Sequence, residues 1–404
     1  MLFRSALLSV AFWAVFLAGL RLTVVPPETC GQDNLPAIQN AASQAIGWIE
    51  RNQLPDGTFV YEYDANTNKA STDYNDVRHA GVTMALYQAA GRFHDNAALA
   101  AADRSLGWER QHLVQMHGWS ALTPDGQGAA LGSSALMLVG LTERRAATGD
   151  HQYDDLMHQL ARFITALQGS DGNFAFGYDL TADAPQSGTS TYYPGESLWA
   201  LTLMHNAFPG EGWDAAARSA LNYIATRRDD DVGVSYPPVA DQWAAYGIAE
   251  IAQWGGLTGA EIDYAHRLAA RFGLFVRTEA QRDGSWYGKI PRGPEARGAG
   301  AGTWIEALAA LWRASQFDTR LADLAAPTTE RATCIAGIMA DIQVTADEAK
   351  SYPQPGLAEG AWYHDGDTRM DDQQHTFSGL IYTADLLQNN PHREPTQLLP
   401  VPSP

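Results

Sequence analysis

Two kinds of helical segment alternate along this chain. In one kind, apolar residues recur at helical spacing with polar residues between them. The stretch from Ala37 to Arg51 is an example, with Ile38, Ala41, Ala45, Trp48 and Ile49 on one face. In the other kind, apolar residues run all round the helix. After Asp73-Tyr74-Asn75-Asp76-Val77-Arg78-His79, the residues Ala80, Val82, Met84, Ala85 and Leu86 leave no polar face. A one-faced helix suits an outer layer, whereas a helix apolar on all sides needs burial on all sides. The polar head must then lie where the buried helix begins.

The same pairing recurs down the chain. One-faced segments are expected near residues 37–51, 99–113, 153–167, 213–227, 260–277 and 329–344. All-apolar segments follow them near 80–91, 131–139, 197–207, from 241, 302–314 and 376–387. Between the two lie glycine-centred turns and polar heads, with short extended pieces such as 60–64 and 232–236. Six such units recur at 45 to 70 residues. An open row of them would need capping repeats at its ends. Closing the row into a ring removes the ends and buries one helix of every pair. The expectation is therefore an all-α protein, an (α/α)6 barrel over residues 35–390, with an irregular helical bundle as the alternative. Residues 391–404 form a Pro-rich tail without core residues, expected to be disordered.

Composition narrows the partners. The formal charge of -19 argues against nucleic acid, which needs a basic face. Residues 1–34 read as an export signal or signal anchor plus linker. Arg4 precedes an uncharged run from Ser5 to Leu20. The run is short for a spanning helix and has no clear cleavage site, so cleavage and anchoring both stay open. Membrane contact is expected only through this segment, with the body periplasmic, secreted or anchored outside the cytoplasm. In such a compartment Cys30 and Cys334 can pair, but the sequence leaves pairing and free thiols equally open. Two distant cysteines do not make a zinc site. Neither a metal nor a cofactor is expected.

Three turns, Gln53-Leu54-Pro55-Asp56-Gly57-Thr58-Phe59, Gln168-Gly169-Ser170-Asp171-Gly172-Asn173-Phe174 and Gln281-Arg282-Asp283-Gly284-Ser285-Trp286, resemble the Gln/Trp repeats of α/α toroids. Those repeats are known from squalene-cyclase and protein-prenyltransferase folds, and six-hairpin glycosidases share the architecture. The resemblance covers about residues 35 to 390 and concerns architecture. The Asp-x-Asp-Asp acid of squalene-type cyclases is missing, and neither cysteine sits in the zinc motifs of prenyltransferases. Carbohydrate chemistry is thereby left ahead.

In such a barrel the heads of the inner helices meet at one mouth. Glu196, Asp241 and Glu306 are the candidate catalytic carboxylates, with His79 and Asp372 as further candidates. Carboxyl pairs divide acid and base roles across a glycosidic bond. Tyr74, Tyr192, Tyr193, Trp243, Tyr246 and Trp304 are candidate sugar platforms, joined by Arg78, Arg369 and His375 as substrate-binding residues. The arginines and histidines suit a uronic or sulfated sugar and would then serve a lyase or epimerase. Each assignment competes with a structural one. An acid in a first helical turn gains roughly 0.3–1 kcal/mol from the helix dipole without any chemistry. The arginines can be bound by neighbouring aspartates, and a buried histidine is more often a core residue. The leading expectation is an exported carbohydrate-active enzyme (glycoside hydrolase, lyase or epimerase) acting on a polysaccharide or oligosaccharide. An isoprenoid-binding toroid of the cyclase or prenyltransferase type and a non-catalytic glycan- or protein-binding envelope protein are the alternatives.

Overall fold

The computed structural model describes residues 2–23, 25–188, 190–234, 237–282 and 288–395. Helix α1 (Leu2–Thr23) projects alone. The other long helices alternate between two rings. The outer ring consists of α2 (Leu35–Arg51), α4 (Asn96–Gln111), α6 (Asp154–Ala166), α8 (Trp213–Thr226), α10 (Gly259–Ala280) and α12 (Ala325–Ile342). The inner ring consists of α3 (Asp76–Phe93), α5 (Leu131–Thr148), α7 (Tyr193–Ala207), α9 (Gln242–Trp254), α11 (Gly298–Phe317) and α13 (Met370–Leu387). Each inner helix packs on the next, and α13 returns to α3, so the ring is closed. The architecture is the (α/α)6 barrel that the alternating pattern implies. The inner helices are buried on nearly every side, whereas an outer one such as α2 buries a single stripe through Ile38, Ala41, Ala45, Trp48 and Ile49; α12 departs from this over residues 332–337, which the segment before α2 also covers.

The two ends of the barrel differ. Returns from inner to outer helices are tight, as from Phe93 to Asn96 with Asp95 capping α4 through the amides of Ala97 and Ala98. Crossings from outer to inner helices are long and carry three small sheets. In the first sheet β1 (Glu62–Asp64) lies between β2 (Lys69–Ala70) and β8 (Asp367–Arg369), joining the first hairpin to the last. In the second, β3 (Leu113–Met116) pairs with β4 (Trp119–Leu122). In the third, β6 (Gly177–Asp179) lies between β5 (Gly128–Ala130) and β7 (Ala184–Pro185). The long loops thus crown the end where the inner helices begin, and only that end has the chain length for an elaborate site.

Where a repeat turn is present, it docks its hairpin on the next. The Gln53 amide donates to the Ala101 carbonyl of α4 at 2.8 Å, and Gln168 donates to Ala216 of α8 at 3.0 Å. Gly57 and Gly172 have φ of 94° and 89°, and a Cβ on either would come within 2.4 Å of an outer-helix carbonyl. Glycine is required at both on conformational and steric grounds. The sixth hairpin repeats the device with a long insertion. Gln343 donates to the Ala41 carbonyl of α2 at 3.0 Å, and Gly360, φ 80°, abuts the Gln44 carbonyl. This copy joins the last hairpin to the first. In the third motif quoted above, residues 283–286 lie outside the described residues, as do Ser235 and Tyr236. Residues 232–234 form a turn rather than the expected extended piece, with Gly233 at φ 75° and the Val234 amide donating to the Asp229 carbonyl at 2.7 Å.

Four further expectations need adjusting. α1 continues past Arg21 and is long and apolar enough to cross a membrane by length and composition. Cys30 and Cys334 are disulfide-bonded, with Cα atoms 4.4 Å apart. Inner helix α11 begins at Gly298 rather than Gly302, because glycine and alanine let its first turn lie against α13. The stretch after Pro391 is not all free of the core. Arg313 donates to the Pro391 carbonyl at 2.8 Å, and the Arg393 guanidinium lies 4.4 Å from the centre of the Tyr382 ring. Residues 396–404 of the tail lie outside the described residues.

Candidate active site

Inner helices α11 and α13 supply the most specific pairing. Glu306 is the ninth residue of α11, a turn deeper in the barrel than a first-turn acid would be. Its Oε2 accepts a hydrogen bond from His375 Nδ1 at 2.9 Å. The Glu306 side chain is fully buried, while His375 keeps 15% exposure. Burial pushes the Glu306 carboxyl up against the pull of His375. Burial also opposes charge on His375, but Glu306 outweighs it and holds the imidazole above its ordinary value. The Tyr246 hydroxyl lies close to Glu306, and the two act on each other: burial and the Glu306 charge raise the Tyr246 pKa, while Tyr246 helps pull that of Glu306 down. Trp243 places its ring 5.6 Å from His375, and Trp199 stacks on both Trp243 and Tyr246.

Helix α7 supplies a second acid. Glu196 lies in its first turn, almost fully buried, with Oε2 unpartnered among the described residues. Burial raises its pKa to about 8, and Asp241 nearby adds to the shift. At neutral pH Glu196 is therefore a protonated acid. Gly132 at the start of α5 makes room for it, since a Cβ there would lie 2.3 Å from Glu196 Oε2 and 2.6 Å from the Tyr193 ring. Tyr193 is half-buried beside Glu196, and Tyr192 is 45% exposed.

The remaining predicted residues have other surroundings. Asp241 caps α9 through the Ala244 amide at 3.1 Å and is ion-paired with the fully buried Arg228, which also donates to the Tyr264 hydroxyl at 2.8 Å. Burial raises the Asp241 pKa and Arg228 pulls it back. Asp372 accepts from the Ala299 amide at 2.9 Å, the Arg369 amide at 3.1 Å and Arg297 at 3.0 Å. Burial opposes its charge, but Arg297 and these amides hold its pKa below the usual carboxylate range. Asp371 bridges Arg78 at 3.3 Å and Arg369 at 3.4 Å. His79 faces outward from α3 into the inter-ring space. There it meets the Tyr74 hydroxyl at 2.6 Å, Ser105 Oγ at 2.8 Å and the Trp108 ring. Burial drives its pKa down to about 3. Trp304 also faces the outer ring, stacked on Phe275 at 5.1 Å.

The structure thus brings Glu306, His375, Trp243 and Tyr246 together inside the inner ring, with Glu196 and Tyr193 on α7 at the same end. It sets His79 and Trp304 apart, between the rings. Sequence reasoning passed over Arg228 and Arg297, the cations that hold Asp241 and Asp372. An arginine directly before an all-apolar helix, as Arg297 is, was the available signal. Among the described residues no three His, Cys, Asp or Glu side chains converge as a metal site.

No protein-family model matches the sequence, and no match to a curated protein is found. Solved structures do match. An α-1,6-mannanase from a Salegentibacter species, in complex with α-1,6-mannotriose, is 12% identical, with 86% of this chain and 99% of that one covered at a TM-score of 0.58. A cellobiose 2-epimerase from Spirochaeta thermophila is 14% identical over 88% and 98% of the two chains, TM-score 0.59. An unsaturated glucuronyl hydrolase specific for heparin is 11% identical over 87% and 98%, TM-score 0.57. At these identities the shared property is the fold. The chain has the (α/α)6 toroid fold that these structures share.

Proposed function

We propose that the protein is an exported or membrane-tethered enzyme that performs acid–base chemistry on a polysaccharide or oligosaccharide at this mouth. The carrying observation is the Glu306–His375 pair at the end of the barrel that also holds a neutral Glu196. A buried carboxylate that holds Nδ1 orients the imidazole and leaves Nε2 to exchange a proton with substrate. Glu196, protonated at neutral pH, is suited to donate one. Tyr192 and Tyr193 supply aromatic faces, Trp243 packs beside the His375 ring, and Tyr246 lies beside the Glu306 carboxylate. Asp241 and Asp372 support the helix starts on either side, with Arg78 and Arg369 fixing Asp371. His79 steadies Tyr74 from behind.

The structural neighbours support a carbohydrate substrate: one was solved with mannotriose, and others are named as a glucuronyl hydrolase and sugar epimerases. An isoprenoid chamber has less support, because Trp199, Trp243, Tyr246 and Tyr382 pack against one another inside the inner ring. Export is supported by the exposed apolar helix α1 and by the disulfide, which persists in oxidising compartments.

The test is incubation of the protein with neutral and acidic oligosaccharides in D2O, with product analysis. Hydrolysis gives new reducing ends, elimination gives an unsaturated end, and epimerisation places deuterium on carbon. Glu306→Gln and Glu196→Gln should each lower turnover by about 10²–10⁴-fold with helicity intact. Binding without product, or turnover unchanged in both variants, would overturn the assignment.

A further inference from the structure

A cavity opens on the rim near Tyr193, and none of the residues discussed as acids or bases of the reaction lines it. It has a volume of about 390 Å³ and is lined by Tyr74, Trp108, Phe176, Asp76, Asp125 and Gln186 together with Pro124 and strand β5. The size falls in the range of small-ligand sites, roughly 300–1,000 Å³. The aromatic residues are unusually open for their type, with Tyr74 36% and Phe176 40% exposed. Phe176 packs against Tyr193 at 5.1 Å, and Tyr193 lies beside Glu196. Phe176 thus both lines the cavity and packs against the ring that lies beside Glu196.

The lining contains two carboxylates, an amide and aromatic rings, and no lysine or arginine. Aromatic rings offer apolar faces, and carboxylate and amide oxygens accept hydrogen bonds from hydroxyls. A uronate or sulfate entering the cavity would face Asp76 and Asp125 with no cation to offset them. The arginines that invite an acidic sugar are already engaged elsewhere, Arg78 by Asp371 and Tyr61, and Arg369 by Asp371 and Asp372.

We infer that this cavity is a binding subsite for an uncharged hexose unit, one that holds the substrate chain next to Glu196 and selects against uronic acids. The inference rests on the carbohydrate reading above and narrows it to neutral glycans. Asp125 has a built place in the subsite: it accepts from the Gln127 and Gly128 amides at 2.9 and 3.2 Å, which fixes its carboxylate at the cavity edge.

Direct binding measurements on the full chain test it, using α-1,6-mannotriose and cellotriose against trigalacturonate. At least one neutral trisaccharide should bind at least about tenfold more tightly than the uronate. Phe176→Ala, at an exposed position, should weaken neutral binding about tenfold. Asp125→Asn keeps an oxygen for the two amides and should improve uronate binding about threefold, the scale of one screened charge at the surface. Equal or tighter uronate binding, or neutral binding unaffected by Phe176→Ala, would overturn the subsite. Turnover lost in Glu306→Gln with neutral binding unaffected by Phe176→Ala would sink the subsite and leave the enzyme standing. Phe176-dependent binding without any product would do the reverse.

Discussion

At Glu196 burial has a measurable consequence, as it does at Glu109 between the rings, whose pKa burial also raises to about 8. The ordinary pKa of 4.5 at Glu196 rises to about 8 because water is excluded and Asp241 lies close. An acid whose folded pKa is raised favours folding fully only below its unfolded pKa. Between the two values the unfolded chain releases a proton that the folded one keeps, so stability falls as pH rises, by at most about 1.4 kcal/mol per unit. Thermal midpoints should therefore decline from pH about 4.5 to about 8, and Glu196→Gln should flatten the decline. If Glu196 is the proton donor, turnover should also fall as pH passes about 8. An identical pH profile in wild type and variant would refute the assignment. Asp372 is the opposite case, kept ionised by Arg297 and backbone amides. Asp372→Asn should cost about 1–3 kcal/mol in chemical denaturation, the scale of hydrogen bonds to charged groups. Glu196 and Glu306 were legible in the sequence because each is a lone acid in an otherwise apolar segment. His375, Trp243 and Tyr246 were legible as polar or aromatic heads of inner helices. What each touches was not legible. Whether a side chain faces the lumen or the inter-ring space is decided by its turn on the helix. His79 and Trp304 turn outward although their neighbours in sequence turn in.

At the scale of elements, glycines set how closely the inner helices approach. A Cβ on Gly132 would strike the end of the Glu196 side chain and the Tyr193 ring. Both can shift, so Gly132→Ala should fold, lose about 1–3 kcal/mol and displace the acid. Its turnover should drop more than its thermal midpoint suggests, which paired activity and melting measurements will show. Gly302 is less forgiving. A Cβ there would lie 2.3 Å from backbone of His375 and Thr376, where no rotamer can relieve the clash. Gly302→Ala should separate α11 from α13, break the Glu306–His375 contact and destabilise more than Gly132→Ala. Alternation of one-faced and all-apolar helices was readable because each ring imposes its own burial pattern. The start of α11 was misplaced because Gly298-Ala299-Gly300-Ala301 carries no periodicity to read, and the close approach it permits is visible only with α13 in place. The Gln343 copy of the repeat turn was hidden for another reason. The insertion between Gln343 and Gly360 spaces its parts beyond the motif seen at Gln53 and Gln168.

A ring of hairpins has one seam where the last unit meets the first, and this molecule fastens it along its height. At the mouth β1 pairs with β8, with Tyr63 opposite Thr368. On the outer face Gln343 reaches Ala41, and the Trp48 indole donates to the Leu357 carbonyl at 2.9 Å. The Cys30–Cys334 disulfide ties the segment before α2 to α12 across 304 residues of sequence. No stretch of continuous chain crosses this seam, so every link there is non-local and subject to the full entropy of closing the ring. The disulfide is the one described link that persists in the unfolded chain, where it restricts the ensemble. Cys30→Ser with Cys334→Ser should therefore cost about 2–4 kcal/mol and lower the thermal midpoint. Gln343→Ala leaves the Ala41 and Gly360 carbonyls without their donor and should cost about 1–3 kcal/mol. If both devices hold the same seam, combining the changes should open the ring locally. Hydrogen exchange would then rise in α2 and α12 before it rises in α7 and α9 on the far side. Uniform exchange around the barrel, or a reduced protein as stable as the oxidised one, would show that the inner ring closes without help from its outer fastenings.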